Sequence, residues 1–152
     1  MALPNVFDAS VVEQLTQRLN KLSNSTTPQW GKMNVAQMLA HCNVTYDLAF
    51  ERKASKNSFI MKWILKTFIK KKVVGEQAYP PNSPTAPVFV IADQREFESE
   101  KAALLQNMKD VQQKGSSYFE GRDSVSFGPL TAIEWNNMFY KHLDHHFTQF
   151  GV

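Results

Sequence analysis

Cysteine is nearly absent from this 152-residue chain: Cys42 stands alone. A lone thiol excludes an internal disulfide framework and fits a reducing compartment. Long apolar runs are missing too, so no segment reads as a bilayer-spanning helix. The stretch from Met1 to Asp8 lacks the basic start and apolar core of a signal peptide. A marked excess of one charge is absent: charged residues are an ordinary 20%, and a net charge of +3 with a pI near 9.0 is only mildly basic. That balance shows no broad basic stripe and argues against a nucleic-acid binder. Strand patterning is poor as well, limited to a brief alternation at Val88-Phe89-Val90-Ile91 between Pro87 and Asp93. No repeat or low-complexity tract interrupts the chain. These absences leave a soluble, cytoplasmic, all-α protein as the expectation, with residues 1–152 forming one domain around a sizeable core.

Helix start signals, by contrast, are plentiful. Ser10 with Glu13, Asn34 with Gln37, Asp93 with Glu96, and Thr131 with Glu134 all have capping-box spacing, in which two side chains satisfy orphan backbone donors reciprocally. Met33 with Met38 and Leu130 with Trp135 have the spacing of hydrophobic staples. Helices are expected near 10–22, 34–52, 93–114 and 131–150. About forty residues separate the second from the third, far more than a tight helix–helix turn uses. The expected architecture is therefore a four-helix bundle with a long crossover between its second and third helices. Within the crossover, Phe59 to Lys70 reads as an extra amphipathic helix. Pro80, Pro81, Pro84 and Pro87 follow it and predict an extended path over the surface.

Three of the four histidines fall within five residues of the last helix: His142, His145 and His146. At about 100° per residue, His142 and His146 stack on the arc that also carries Trp135, Met138 and Gln149. Two imidazoles on an apolar face need partners for four ring nitrogens, and one shared metal ion supplies two of them. His145 lies about 60° from that arc and is the weaker ligand candidate. Asp144 faces away and is expected to be solvated. His41, about a hundred residues earlier, shares its helix face with Gln37, Met38, Thr45 and Leu48. Taken alone it reads as a hydrogen-bonded, half-buried histidine. Cys42 points about 100° from His41 and reads as a small buried hydrophobe rather than a fourth ligand. Gln149, one turn past His146, reads either as an orienting partner for a ligand or as a solvated helix end.

The closing string His142-x-x-His145-His146-x-x-Gln149, with Trp30 and Gln37-Met38-Leu39-Ala40-His41 upstream, resembles the DinB/YfiT superfamily of metalloenzymes. Phe127-Gly128-Pro129-Leu130-Thr131, leading through Trp135 to Tyr140-Lys141-His142, is similar to an uncharacterised branch of it. The resemblance implies a four-helix bundle with a long second-to-third crossover. It also implies three histidine ligands, here His41, His142 and His146, around Zn²⁺ or Ni²⁺. Three protein ligands leave an open position, as in catalytic rather than structural zinc sites, with Zn–N near ~2.0–2.1 Å. Relatives of this kind use low-molecular-weight thiols in S-transfer, which implies a thiol-dependent S-transferase or a hydrolase acting on a small molecule. The other readings are a metal-binding or stress-response protein without turnover, and an interaction module without metal.

Segment 59–72 stands apart. Lys62, Lys66 and Lys70 line one side, while Ile60, Met61, Ile64, Leu65, Phe68 and Ile69 cover the other, and Lys71 and Lys72 extend the basic end. Such a helix can lie on an anionic membrane or dock in a groove. Packing on its own bundle or on a dimer mate is the favoured expectation, and membrane contact is disfavoured. Relatives often pair, and the eleven phenylalanines with this apolar side add a reason to expect a homodimer.

Overall fold

The structure, a computed structural model, describes residues 2–54 and 58–152. Met1, which opens the segment read for a leader, lies outside them. The described residues are mostly helical, with one short two-stranded ladder among them. Helix α1 spans Ala9–Asn20 and α2 spans Val35–Ala49. The crossover carries α3 (Phe59–Ile64), a π turn (Leu65–Ile69), α4 (Lys70–Val74) and a 3-10 turn (Pro87–Phe89). Helix α5 (Phe97–Phe119) follows, then the antiparallel pair β1 (Asp123–Ser124) and β2 (Gly128–Pro129), and finally α6 (Ala132–Gln149). Among the described residues, no helix is long and apolar enough to cross a membrane.

Two of the four capping boxes form. The Asn34 side chain accepts from the Gln37 backbone N–H at 2.9 Å, and Gln37 Oε1 accepts from the Asn34 N–H at 3.1 Å. Thr131 and Glu134 do the same at the head of α6, at 3.2 and 3.0 Å. The two helices that carry the histidines therefore have fixed starts. The Ser10 box does not form, because α1 begins one residue earlier with Asp8 at the cap, and the Asp8 carboxylate instead accepts from Asn5 Nδ2 at 3.1 Å. Asp93 does not cap α5 either. Its carboxylate pairs with Arg95 at 3.1 Å, and the helix starts only at Phe97. Gly115 takes φ 72°, ψ 171°, a conformation open to glycine, and breaks α5 near its expected end before a last turn to Phe119.

Helix α2 is buried on nearly every face, between α5 on one side and α6 on the other. Leu19, Met38, Leu39, Leu104, Phe119, Trp135, Phe139 and Phe147 form the centre of one core that α1, α2, α5 and α6 share. Arg18 of α1 donates to the Asp144 carboxylate at 2.7 Å and to the Val152 carbonyl at 2.9 Å, so Asp144, still 43% exposed as expected, also bridges to α1.

The expected single helix from Phe59 to Lys70 is longer and less regular, passing through the π turn and ending at Val74. Lys141 of α6 anchors that end. Its buried ammonium donates to the carbonyls of Lys72 (2.8 Å), Val73 (3.1 Å) and Gly75 (2.7 Å), and lies 4.4 Å from the centre of the Tyr79 ring. Terminal helix carbonyls lack partners of their own, and a cation suits the negative end of the helix. Burial pushes Lys141 down to about 8, which still leaves it charged at neutral pH. Lys141→Met keeps the apolar stem but takes the ammonium from the Lys72 and Gly75 carbonyls, while Val73 keeps the Tyr79 hydroxyl. It is expected to cost about 3 kcal/mol, read as a lower thermal midpoint with the metal content unchanged.

Residues 75–86 carry neither helix nor strand, as the prolines predict, and the Val88–Ile91 alternation becomes the 3-10 turn rather than a strand. This strap brings Phe89 onto α2 and α6.

Candidate metal centre

His41 sits mid-way along α2, and His142 and His146 lie one turn apart on α6. Packing of α2 against α6 brings the three rings together. Centroids are 4.8 Å apart for His41–His142, 4.5 Å for His41–His146 and 4.8 Å for His142–His146. One ring nitrogen from each lies within 4.8 Å of the others, close enough to hold one metal ion. His41 and His146 are buried and His142 is half-buried.

The outer nitrogens are all occupied. His41 Nδ1 is 2.9 Å from the Phe89 carbonyl, His142 Nδ1 is 2.9 Å from Thr45 Oγ1, and His146 Nδ1 is 2.8 Å from Gln149 Oε1. The partners set the tautomers. A carbonyl can only accept, so His41 carries its proton on Nδ1 and turns a bare Nε2 lone pair inward. Gln149 Nε2 donates to the Trp30 carbonyl at 2.7 Å, which leaves Oε1 as the atom facing His146. His146 Nδ1 must then donate, and its Nε2 is bare as well.

His142 is different, because a hydroxyl can donate or accept. Its Nε2 lies 2.8 Å from His41 Nε2. Two bare lone pairs would repel at that distance, so without a metal His142 Nε2 carries the proton and donates to His41, while Thr45 donates to His142 Nδ1. Reversing the Thr45 hydroxyl moves the His142 proton to Nδ1 and turns all three Nε2 lone pairs inward. The donor set then fits a divalent ion of the imidazole-preferring kind, with each ligand ring oriented by an outer partner.

Electrostatics favour the neutral rings that ligation needs. Burial, then the neighbouring His41, push His146 down to about 3, against a partial rise from Gln149. His142 is held well below its ordinary value by burial and then by His41, His146 and His145. Burial lowers His41 as well, despite its bond to Phe89.

His145 lies outside the cluster of ligand nitrogens. It bonds the backbone of Tyr79 and packs edge-on against Trp30 at 5.8 Å and Tyr79 at 5.9 Å. Gln149 is buried and serves two partners rather than facing solvent. The close approach depends on Gly31, whose φ is +86° and where a Cβ would come within 2.6 Å of Gln149 Nε2. Cys42 stays in the core, 3.8 Å from Met38 Sδ, with burial raising its thiol.

The contribution of Phe89 had no signal in the sequence. Its carbonyl orients His41, and its ring lies 5.5 Å from His41 and 5.9 Å from His142, screening both from water. On another face of α2, Asn43 bonds Glu100 and Asn107, and Arg52 donates to Asn107 at 2.7 Å. These groups line a separate cavity of about 210 Å³ that no histidine enters.

Residues 7–151 match the family model DUF1569, described as a protein of unknown function, and the chain belongs to that family. No curated protein and no solved structure matches the chain.

Proposed function

We propose that this DUF1569 protein is a metal-dependent enzyme of DinB/YfiT-like, four-helix-bundle type, holding one Zn²⁺ or Ni²⁺ ion through His41, His142 and His146. One observation carries the reading: every outer ring nitrogen is engaged, so three Nε2 atoms face one point. Such an ion supplies Lewis acidity and lowers the pKa of a water or thiol that reaches it. The substrate class that fits is a small electrophile with a low-molecular-weight thiol in S-transfer, or with water in hydrolysis.

The chain's own residues have separable tasks. His41 and His146 present fixed lone pairs, locked by the Phe89 carbonyl and by Gln149. Thr45 Oγ1 takes up the one proton rearrangement, at His142 Nδ1. The Phe89 ring excludes water over two of the ligands, which strengthens electrostatic interactions beneath it. The Tyr79 hydroxyl donates to the Val73 carbonyl at 3.0 Å, so it holds the strap rather than offering a proton to the site.

That cover favours a second reading, metal binding without turnover, in which the same histidines store or sense an ion. Elemental analysis of purified protein, with Zn²⁺ and Ni²⁺ titration after chelation, tests ligation. A protein that neither carries nor takes up either ion refutes both readings. A screen of thiols against alkyl and acyl electrophiles separates them. Metal-dependent product formation supports the enzyme, and full loading without turnover supports storage or sensing.

A further inference from the structure

Segment 59–74 contributes nothing to the histidine site, and it carries six of the nine exposed large apolar side chains among the described residues. Leu65, Val73 and Val74 reach the core. Ile60, Trp63 and Phe68 remain 69%, 58% and 62% exposed, with Met61, Ile64 and Ile69 more than a third exposed beside them. Six exposed apolar side chains within residues 60–69, with the Trp63 and Phe68 rings 6.4 Å apart, mark an interaction site. Around it stand Lys62, Lys66, Lys70, Lys71 and Lys72, and the sequence from Phe59 to Val74 contains no acidic residue. Beside the helix a groove of about 390 Å³ is lined by Lys66, Lys70, Lys71, Val74, Gly75 and Glu134, where Lys70 pairs with Glu134 at 2.9 Å.

Charge chooses the occupant. A two-fold contact with a second copy would bring five lysines against five, offset in each copy by Glu134 on Lys70 but by no carboxylate within the segment itself. An anionic lipid surface meets both features at once. It takes the apolar side chains at the acyl boundary and the lysines at its phosphates, with the long lysine stems reaching up from the buried side. Trp63, on the exposed face, is the residue type that settles at such an interface. We propose that residues 59–74 attach this protein in-plane to an anionic bilayer surface, with phosphate headgroups seated in the Lys66–Lys70–Lys71 groove. The sequence reading favoured the bundle or a dimer mate. The exposed face and its excess of positive charge, with Lys70 paired to Glu134, reverse that weighting.

Co-sedimentation of the full-length protein with phosphatidylglycerol/phosphatidylcholine vesicles tests this, against pure phosphatidylcholine vesicles, at low and high salt. Binding is expected to the anionic vesicles alone, to weaken at high salt, and to shift the emission of Trp63 to the blue, a shift that Trp63→Phe removes. Each exposed lysine reversed or removed is expected to weaken binding about fivefold or more, so Lys66→Glu with Lys71→Glu should nearly abolish it. Phe68→Asp should do so too, without unfolding a side chain that makes no core contact. Chelation should leave binding intact, which separates this inference from the metal reading. No binding to anionic vesicles at low salt overturns the proposal, as does equal binding to phosphatidylcholine or binding indifferent to both variants. A mass near twice 17.4 kDa by light scattering, lost with Phe68→Asp and unaccompanied by vesicle binding, would assign the face to a second copy and overturn it equally.

Discussion

His142→Ala is expected to take the metal content of the purified protein from stoichiometric to trace. The same holds for His41→Ala and His146→Ala, because each removes one of three converging nitrogens and leaves a pair. Partners that only orient a ligand typically contribute 10–100-fold in affinity, roughly, so loss of a ligand itself should exceed about a hundredfold. Gln149→Ala should fall within that smaller range. It frees the His146 ring and unties the Trp30 loop, but removes no donor to the ion. Thr45→Val should behave similarly through His142. His145→Ala removes a ring that packs edge-on against His146 at 5.0 Å but supplies none of the converging nitrogens, so its loss of metal should be no larger than that of Gln149→Ala. Elemental analysis beside competition with a chromogenic chelator reads all six variants. Full metal retention in any two of the three ligand variants would remove the basis for a three-histidine site.

The graded order of those variants follows what sequence can and cannot encode. Four-residue spacing put His142 and His146 on one face, and the Trp135–Met138 arc aimed that face inward, because helical periodicity is local and survives any packing. The Asn34 and Thr131 boxes were legible for the same reason. Ser10 and Asp93 had identical spacing, yet α1 starts ahead of Ser10 with Asp8 at its cap, and the Asp93 carboxylate pairs with Arg95 while α5 starts only at Phe97. Spacing cannot rank two local partners competing for one cap. The fixed ring orientations were less visible still. Phe89 acts through a backbone carbonyl, which every residue has, and Lys141 acts on three more. Only the path of the strap brings these atoms into range. Segment 59–74 shows a third limit: its pattern announced two faces, but which face meets the core depends on Leu65, Val73 and Val74 being the side chains that reach it.

Moving the metal-free protein from pH 7.5 to pH 5 is expected to cost about 2 kcal/mol at His146 alone. Its folded value of about 3 lies below the unfolded value of about 6.5. The folded chain therefore binds fewer protons than the unfolded chain across that window. Stability from the neutral, buried ring is fully present above pH ~6.5 and is lost as pH falls toward the folded value. His41 and His142 are lowered in the same direction, chiefly by burial, and deepen the loss. A bound ion adds to the effect, since it favours the same neutral rings and competes with the same protons. Thermal melts at both pH values, with and without chelator, separate the contributions. The chelated protein should melt several degrees lower at pH 5, on the scale of ~2–4 °C per kcal/mol for a chain of this size. Chelator sensitivity should be large at pH 7.5 and small at pH 5, where protons have already displaced the ion. Equal sensitivity at both values would count against ligation by histidine. An unchanged midpoint in the chelated protein would count against the buried, neutral cluster itself, because desolvated imidazoles cannot gain protons at no cost to the fold.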